Sequence, residues 1–557
     1  MELRNSHILA HIENKTSDYE NRVALGIKST YGWEELTYKG LGLLSRKIAR
    51  YLIEDIGIKK GESLAILSES KPEYGACVFA SVLTGTITVP LDIKLSVYEL
   101  ESILSDCKPS VMLVSQHYLP TALELQKKIP EMKYVFVIDE HAHSNDVMNV
   151  YDSPDNYNAK WRQRSSKSTA LIIYTSGTTG APKGVEISFA NINAQLVDME
   201  EALVSILPKH NINILSILPM NHLFEMTVGF SAFLNKGESI YYTTSLKPKD
   251  IMGIMCEKNI SFMIVVPAFL KLLKTGLEKQ INKQSVFSKS VFNMMYHAAK
   301  FVPSYRLRRV LFHKLHKNLG GSFYGCITGG APLDIEVGKF FERLGIKVFQ
   351  GYGLSETSPV VSVNYDKPGN LASIGHPLRH YEARTDEKTG ELLLRGPSVM
   401  KGYHNQPELT AQTIDKDGWL HTGDIARIDK DGHMYITGRI KNMIVLQGGK
   451  KVFPEEVEAV LEKSSYIAEA CVLGISKKFG AKDGAEEVTA VIVPKAELYN
   501  SYSPDDIERM IKLDVKTLSK QLAGYKHPTN IIISKDELPK TTTRKVKRKE
   551  VKALLNV

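Results

Sequence analysis

The 557-residue sequence is poor in cysteine and contains no long apolar run. Its five cysteines are scattered, odd in number and never spaced as Cys-x-x-Cys, which argues against a zinc site or a disulfide framework. No stretch of about 18 residues is continuously apolar, so no membrane-spanning helix is expected. The opening residues, MELRNSHILAHIENK, lack a basic segment followed by an apolar one and predict a cytoplasmic protein.

The overall composition is ordinary for a soluble globular protein, with 43% hydrophobic and 24% charged residues. The length suggests about three or four domain-sized units. The net charge of +9 suits anionic ligands such as nucleotides or CoA, and it also suits an anionic membrane surface. Solvated lysine side chains are the simpler explanation of the same charge.

The most informative local pattern is LIIYTSGTTGAPKG, at residues 171–184. Residues 170–174 are apolar and partly β-branched, which predicts a core strand. The loop after them combines glycines with hydroxyl side chains and ends at Lys183. Glycines let backbone N–H groups approach a ligand closely, and hydroxyls and amides suit phosphate oxygens. The pattern therefore predicts a polyphosphate-binding loop.

Two alternatives for this loop are weaker. A Walker A loop needs GxxxxGK[ST], but Pro182 precedes Lys183 and Gly184 follows it, so the spacing fails. A flexible Ser/Thr/Gly linker fits the composition. Such a linker has no need of a core strand directly before it or of Pro-Lys-Gly at its end.

Two further motifs suit a nucleotide and its metal. GGAPL, at 329–333, follows a predicted strand, and its small residues leave room for a flat ring against the backbone. GYGLSETSP, at 351–359, follows another strand. Tyr352 offers an aromatic face for stacking, and Glu356 offers a hard carboxylate for Mg²⁺.

Two single residues are also candidates. His222, in LPMNHLFE, follows a predicted strand, where α/β folds place ligand contacts, although local hydrogen bonds alone would explain it. Asp424, in HTGD, follows a turn-rich stretch. A carboxylate accepts two hydroxyl hydrogen bonds from a ribose diol, whereas a turn aspartate bonded to its own backbone is the alternative.

In this order, the motifs resemble those of the adenylate-forming enzymes, the superfamily of acyl-CoA synthetases, luciferases and nonribosomal adenylation domains. The resemblance covers nearly the whole chain, and stretches such as RRVLFHKLHKNLG and GRIKNMIVLQGGKKVFPEEVEAVL resemble bacterial long-chain fatty acid–CoA ligases. It implies an α/β fold with parallel sheets and a β subdomain in a large N-terminal domain, 1–438. A hinge at 439–441 and a small mobile α+β lid domain, 442–557, would follow.

The resemblance also assigns roles to residues. It gives the metal to Thr175 and Glu356, the wall of the acyl pocket to His222 and Phe224, and the hinge to Lys441. Lys545 would be catalytic together with Glu356 and Thr175. The residues that it assigns to the nucleotide are Thr175, Ser176, Gly177, Thr178, Thr179, Gly180, Lys183, Gly329, Gly330, Ala331, Gln350, Gly351, Tyr352, Gly353, Thr357, Asp424, Arg439 and Lys545.

The C-terminal motif departs from the family pattern. Adenylate-forming enzymes usually read PKTxxGK, but Arg544 stands here in place of the glycine, and Lys545 follows it. Glycine adopts unusual backbone angles more readily than arginine. Lys547 is therefore a rival for the catalytic position, and a simple basic tail is the alternative to both. Nucleic-acid binding is not expected, because interleaved aromatics and a recognisable module are missing.

The implied reaction joins a fatty acid to ATP as acyl-AMP, with release of pyrophosphate, and then transfers the acyl group to CoA. The cofactors and substrates would be ATP, Mg²⁺, CoA and a long-chain fatty acid. Three alternatives stay open: a fatty acyl-AMP ligase that delivers to an acyl carrier protein, a ligase for aryl or short acids, and a weakly active acyl-binding scaffold.

Residues 281–317 form a basic segment with eight Lys or Arg residues and no Asp or Glu, interleaved with large apolar residues. This pattern predicts either peripheral contact with a membrane interface or a pair of packed surface helices with a solvated basic face.

Periodicity also predicts individual elements. Helices are expected at 41–53, 76–84, 191–207, 455–461 and 505–522, and another is expected to open at PAFLKLL. Strands are expected at 63–67, 110–115, 214–218, 262–267, 324–328, 347–350, 470–475, 488–493 and 530–533. Residues 141–167 are expected to form a surface loop.

Overall fold

The computed structural model describes residues 15–29, 32–140, 147–152, 161–162, 164–175, 182–207, 212–365, 370–446, 450–476, 486–540 and 546–555. Contacts divide the chain into two compact units. The first unit comprises residues 1–382 and 395–420, and the second comprises 383–394 and 421–557. The hinge expected at 439–441 remains a prediction.

Within its described residues, the first unit contains a nine-stranded sheet. The strands from Lys347–Gly353 to Val23–Ser29 are mutually parallel, as the α/β pattern predicts. From one edge to the other, the strands are His376–Pro377, Val360–Val363, Lys347–Gly353, Gly325–Thr328, Phe262–Val265, Asn213–Ser216, Ser239–Tyr242, Val23–Ser29 and Gly32–Thr37.

A second sheet of the first unit has seven strands among the described residues. In order across the sheet, they are Gly402–Tyr403, Lys183–Ser188, Thr169–Thr175, Ile87–Pro90, Ser63–Leu67, Val111–Val114 and Tyr134–Val137. The last five of these strands run parallel, and Lys183–Ser188 pairs in antiparallel fashion with the strand on either side of it. The antiparallel part includes the hairpin whose loop carries the glycine- and hydroxyl-rich motif.

The helices of the first unit bury one face or, in one case, their whole surface. Every residue of Pro72–Thr84 is buried, as expected for its mostly apolar sequence, while Phe189–Ile206 is capped by the Ser188 hydroxyl. The α-helices are Tyr38–Glu54, Pro72–Thr84, Val97–Cys107, Leu119–Lys128, Phe189–Ile206, Phe233–Asn235, Pro248–Glu257, Pro267–Asn282, Val286–Ala298, Tyr305–Leu311, His313–Asn318, Ile335–Arg343 and Pro407–Thr413, and Glu225–Ala232 is a π-helix.

The second unit is built from short sheets and three α-helices in its described residues. Strands Glu382–Thr385, Glu391–Arg395, Leu420–Ile428 and Met434–Arg439 form a four-stranded sheet. Strands Ile467–Ser476, Glu486–Pro494 and Asn530–Ile533 form another, and Ile444–Val445 pairs with Lys451–Val452. The helices are Pro454–Leu461, Pro504–Ser519 and Arg548–Leu554, and the first two pack on an apolar core that includes Val457, Val472 and Ile511.

One predicted boundary is wrong in an informative way. The strand expected to end at Gln350 continues to Gly353, so that the Gly-Tyr-Gly of the motif belongs to the strand. Lys347–Gln350 pair in parallel with Gly325–Thr328, and 351–353 then pair in antiparallel fashion with Val360–Val363. The change of partner keeps the backbone extended.

Among the described residues, no helix has the length and apolar character needed to cross a bilayer.

Candidate active site

The predicted phosphate loop connects two antiparallel strands. Thr169–Thr175 pairs with Lys183–Ser188, and Thr175 lies opposite Lys183 at the loop end of this hairpin. Both residues are partly buried. The other loop candidates, Ser176, Gly177, Thr178, Thr179 and Gly180, lie outside the described residues. The hairpin thus places a hydroxyl and an ammonium group at the two bases of the loop.

Tyr403 joins the lysine of this hairpin to the predicted metal ligand. The Lys183 ammonium lies 5.5 Å from the centre of the Tyr403 ring, and the Tyr403 hydroxyl donates a hydrogen bond of 2.8 Å to Glu356 Oε1. Burial, reinforced by the Glu356 carboxylate, raises the pKa of Tyr403 well above its ordinary value, so that the phenol keeps its proton and acts as a donor. The ring therefore links the seven-stranded sheet to a turn between two strands of the nine-stranded sheet.

Glu356 is held at its backbone as well as at its side chain. It lies in the 3₁₀ turn Ser355–Thr357, and its carbonyl oxygen accepts a hydrogen bond of 2.8 Å from the Met400 amide. Thr357, which is buried, accepts at its hydroxyl from the Leu354 amide and accepts at its carbonyl from the Tyr381 hydroxyl. The turn that carries the carboxylate is therefore fixed on both sides.

A charged cluster anchors the strand of Tyr403 to the hairpin. Glu186 receives hydrogen bonds from His404 Nδ1 at 2.7 Å, from the Thr169 hydroxyl at 2.7 Å and from Lys401 at 3.1 Å. The hydrogen bond from His404 is the main cause that lowers the pKa of Glu186 to about 2, and the same contact raises the pKa of His404. The cluster fixes the register that places Tyr403 beside Lys183.

The two glycine motifs lie side by side at the ends of adjacent parallel strands. A Cβ atom on Gly329 would lie 3.1 Å from the carbonyl oxygen of Gly351 and 3.5 Å from Phe224 Cζ. A Cβ atom on Gly353 would lie 1.6 Å from the carbonyl oxygen of Pro359, so no side chain fits there. The structure therefore brings together three motifs that are separate in the sequence, and the absence of side chains at these glycines lets the backbones pack closely.

The other nucleotide candidates of the first unit belong to the same two glycine motifs or directly adjoin them. Gln350 is buried, its amide donates to Asn364 Oδ1 at 2.6 Å, and its side-chain oxygen has no hydrogen-bond partner among the described residues. Such an acceptor fits the amino group of a base. Tyr352 is partly buried, Gly330 is exposed with a left-handed backbone (φ 79°), and Ala331 is partly buried.

His222 and Phe224 lie at the start of the helical segment that follows the Asn213–Ser216 strand. The His222 amide donates to the Pro219 carbonyl, and its own carbonyl accepts from the Met226 amide. Phe224 approaches Gly329, as given above. The next residue, Glu225, begins a π-helix and is completely buried, and burial raises the pKa of its carboxyl to about 8.

Asp424 and Arg439 form an ion pair in the second unit. They are partners on adjacent antiparallel strands, and Arg439 Nε lies 2.7 Å from Asp424 Oδ1. The Asp424 residue is buried. Lys441 follows in the 3₁₀ turn Ile440–Asn442 and is exposed. The two predicted ribose-binding residues are thus neighbours in the structure.

Lys545 and Arg544 lie outside the described residues. The rival Lys547 is described, and its ammonium group pairs with Glu550 at 2.8 Å. Arg548 pairs with Glu458 at 2.5 Å in a partly buried position. At least part of the basic C-terminal sequence is therefore engaged in structural ion pairs.

Sequence reasoning missed two residues of this region, Tyr403 and Glu225. Tyr403 stands in Lys-Gly-Tyr-His, where Gly402 adopts a φ of 153° and packs against Thr410. The sequence signal that could have pointed to Tyr403 was this glycine, which stands between Lys401 and the titratable tyrosine. Glu225 was visible as a single acidic residue inside the apolar stretch LFEMTVGF. Such a residue is rarely buried without a special role or partner.

The donor set fits a metal-bound nucleotide. Glu356 and Thr175 offer the oxygen ligands that Mg²⁺ prefers, and Lys183 offers a positive charge for phosphate. The open space beside Gly330 leaves room for a flat base, and the orphan oxygen of Gln350 suits its amino group. This arrangement can bind a nucleoside triphosphate and stabilise negative charge near its phosphates.

Comparisons with known proteins identify the family of the chain. The AMP-binding enzyme family matches residues 12–404, and the C-terminal domain of AMP-binding enzymes matches residues 456–545. The long-chain-fatty-acid–CoA ligase of Escherichia coli O157:H7 is 28% identical over 93% of this chain and 90% of its own. The long-chain-fatty-acid–CoA ligase ACSBG1 of Homo sapiens is 30% identical over 83% of this chain and 68% of its own.

Solved structures show the same fold with several substrates. ATP-bound MatB from Rhodopseudomonas palustris has a TM-score of 0.79 and 23% identity, with 99% of each chain covered. O-succinylbenzoate coenzyme A synthetase from Bacillus subtilis, in complex with AMP, has a TM-score of 0.73 and 22% identity, with 97% of this chain and 98% of its own covered. With the family match over most of its length, the chain belongs to the AMP-binding enzyme family, as its motifs predict.

Proposed function

We propose that the protein is an AMP-forming long-chain fatty acid–CoA ligase. The observation that carries this proposal is the convergence of Lys183 and Glu356 on Tyr403. Mg·ATP needs a cation for its phosphates and a carboxylate for its metal ion. Lys183 and Glu356, to which we assign these two roles, both lie next to the ring of Tyr403. The coarser assignment, an adenylate-forming acyl ligase, rests on the family. The acyl chain length rests on the names of relatives near 28% identity.

In the first step, a carboxylate oxygen of the fatty acid attacks the α-phosphorus of ATP. The bond between the α-phosphorus and the bridging oxygen breaks, and pyrophosphate leaves with the electron pair. Lys183 and the loop amides hold the outgoing phosphates, and we assign Lys545 to offset the charge at the reacting centre. When bound at Glu356 and Thr175, Mg²⁺ would neutralise charge on the phosphate oxygens.

In the second step, the sulfur of CoA attacks the acyl carbonyl carbon and AMP leaves, while the thiol proton passes to solvent or to a base. The acyl group would lie against His222 and Phe224, and the ribose would bind Asp424 and Arg439. Lys441 stays the proposed hinge. The nucleophile is supplied by CoA, so this mechanism needs no cysteine of the protein.

The test measures pyrophosphate release and acyl-CoA formation with Mg·ATP. The acids are acetate, octanoate, palmitate and benzoate, each with and without CoA. CoA-dependent formation of palmitoyl-CoA is the expected result. Preference for benzoate or acetate would overturn the long-chain assignment, and absence of pyrophosphate release with every acid would overturn the ligase assignment and favour an acyl-binding scaffold.

A pair of matched variants tests the catalytic lysine. Lys545→Ala should lower the rate of acyl-AMP formation by about 10²- to 10³-fold, since the lysine stabilises charge only in the transition state. Lys547→Ala, two residues away and paired with Glu550, should stay near the parent rate. The reverse ranking would move the catalytic role to Lys547.

An acyl carrier protein remains the second candidate acceptor, motivated by Arg544 in place of the usual glycine. Accumulation of acyl-AMP without transfer to CoA would favour it, and Arg544→Gly would then be the first change to make. The cytoplasmic location expected from the sequence stays a prediction.

A further inference from the structure

Six large apolar side chains stand exposed within a short helical stretch of the first unit. Their accessible fractions lie between 60% and 83%. They are Val286, Phe287, Met294, Phe301, Leu307 and Val310, and we call them the apolar face. Single exposed apolar residues are common on protein surfaces, but six of them within residues 286–310 point to an interaction site.

The apolar face is distinct from the side of the helix that packs on the protein. Phe287 and Met294 are two helical turns apart and therefore lie on one side of Val286–Ala298. Phe292, Met295 and Tyr296 point the other way and pack against the core of the unit. One side of this helix therefore packs on the protein, as expected for a packed surface helix. A second apolar side is exposed to solvent.

The surroundings of the apolar face are strongly basic. Residues 281–317 contain eight Lys or Arg residues and no Asp or Glu. Arg308 and Arg309 donate to backbone carbonyls and serve the fold. The remaining six are exposed, namely Lys283, Lys289, Lys300, Arg306, Lys314 and Lys317.

We propose that this apolar face docks on an anionic lipid bilayer. Phenylalanine, leucine and methionine side chains enter the boundary between headgroups and acyl chains, and lysine and arginine side chains attract anionic headgroups. A second copy of the chain would bring two basic surfaces together, which opposes association. Charge complementarity therefore selects the bilayer as the occupant. The proposal concerns binding alone and does not depend on the proposed ligase activity.

The experiment is flotation of the full chain with lipid vesicles. One set contains phosphatidylcholine only, and the other contains about 30% phosphatidylglycerol. The test variant is the triple substitution Phe287→Ser, Met294→Ser and Phe301→Ser. The matched control replaces three exposed apolar residues elsewhere in the chain, namely Tyr98→Ser, Val204→Ser and Leu513→Ser. Unchanged thermal unfolding of both variants verifies that they fold.

The parent and the control should float with the anionic vesicles, and high salt should weaken this binding. The triple variant should lose at least about tenfold in the bound fraction at limiting lipid. The triple substitution Lys283→Gln, Lys289→Gln and Lys300→Gln should weaken binding to anionic vesicles only. Equal binding of parent and triple variant would overturn the proposal. The proposal would also be overturned if the parent did not bind vesicles but self-associated through Phe287, Met294 and Phe301. The apolar face would then join two copies of the chain.

Discussion

The Tyr403 hydroxyl donates a hydrogen bond of 2.8 Å to Glu356 Oε1, and this bond joins the seven-stranded sheet to the turn that follows Lys347–Gly353 of the nine-stranded sheet. The same ring lies 5.5 Å from the ammonium group of Lys183. A residue absent from the expected set therefore orients the proposed metal ligand and borders the proposed phosphate ligand.

The first prediction concerns Tyr403→Phe, which removes only the hydroxyl. Loss of a hydrogen bond to a metal-binding carboxylate typically costs 10- to 100-fold in metal affinity or activity. We expect the Mg²⁺ concentration for half-maximal pyrophosphate release to rise by about 10-fold or more, with a smaller change at saturating Mg²⁺. Tyr435→Phe, which removes a hydroxyl bonded to Asp429, is the matched control. An unchanged Mg²⁺ requirement would contradict this role.

The second prediction concerns pH and the His404–Glu186 pair. Glu186 raises the pKa of His404, so the histidine contributes stability that is complete below its unfolded pKa of about 6.5 and is lost as pH rises through the folded value. The pKa of Glu186, lowered to about 2, contributes stability that is present above about pH 4.3 and is lost as pH falls towards 2. The pair is therefore most stabilising between about pH 4.3 and 6.5.

The measurement compares thermal unfolding of the parent and His404→Gln at several pH values. The stability lost by the variant should be larger near pH 5.5 than near pH 9. His297→Gln, which changes a residue bonded only to a carbonyl of its own helix, should show no comparable trend. A loss for His404→Gln that grows at alkaline pH would have the wrong sign.

The third prediction concerns the buried carboxyl of Glu225. Its pKa, raised to about 8 by burial, means that the folded state holds a proton that the unfolded state releases above about pH 4.3. Stability should fall as pH rises between these values. Glu225→Gln cannot ionise, so its stability relative to the parent should increase by about 2–4 kcal/mol from pH 5 to pH 8. A pH-independent difference between parent and variant would exclude the buried acid.

The fourth prediction concerns two glycines with opposite expectations. Gly353→Ala would place a Cβ atom 1.6 Å from the Pro359 carbonyl oxygen, so we expect destabilisation above about 4 kcal/mol or failure to fold. Gly276 lies inside the helix Pro267–Asn282 with open space around it. Gly276→Ala should stabilise by about 0.5–1 kcal/mol. Urea unfolding of both variants tests the pair, and a tolerated Gly353→Ala would show that the strand can shift.

The sequence predicts those parts of the site that depend on local patterns. The strand before the phosphate loop, the helix after it and the strands leading to Gly329 and Gly351 all occur near their expected positions. Short apolar runs and glycine or proline boundaries carry this information within a few residues. The parallel order of these strands also follows from alternation of helix and strand.

The position of Tyr403 could not be predicted in this way. It depends on a two-residue strand, Gly402–Tyr403, whose register against Lys183–Ser188 is set by Glu186 and His404. Such a short strand has no periodicity. The ring then meets Glu356 through the arrangement of two sheets, which no local pattern encodes. The π-helix at Glu225 is hidden for the same reason, because its sequence is as apolar as any buried α-helix.

The strand Val23–Ser29 has a consequence for synthesis of the protein. Its partner in the interior of the nine-stranded sheet is Ser239–Tyr242, with Leu25 opposite Ile240. At about 5–20 residues per second, a ribosome needs on the order of 10–40 s to make the chain between them. During that interval Val23–Ser29 can pair with Gly32–Thr37 on one side only. The backbone N–H and C=O groups on its other edge still lack their strand partner. Cells that produce this protein must protect that edge, and chaperone supply should govern its yield more than the stability of the finished fold.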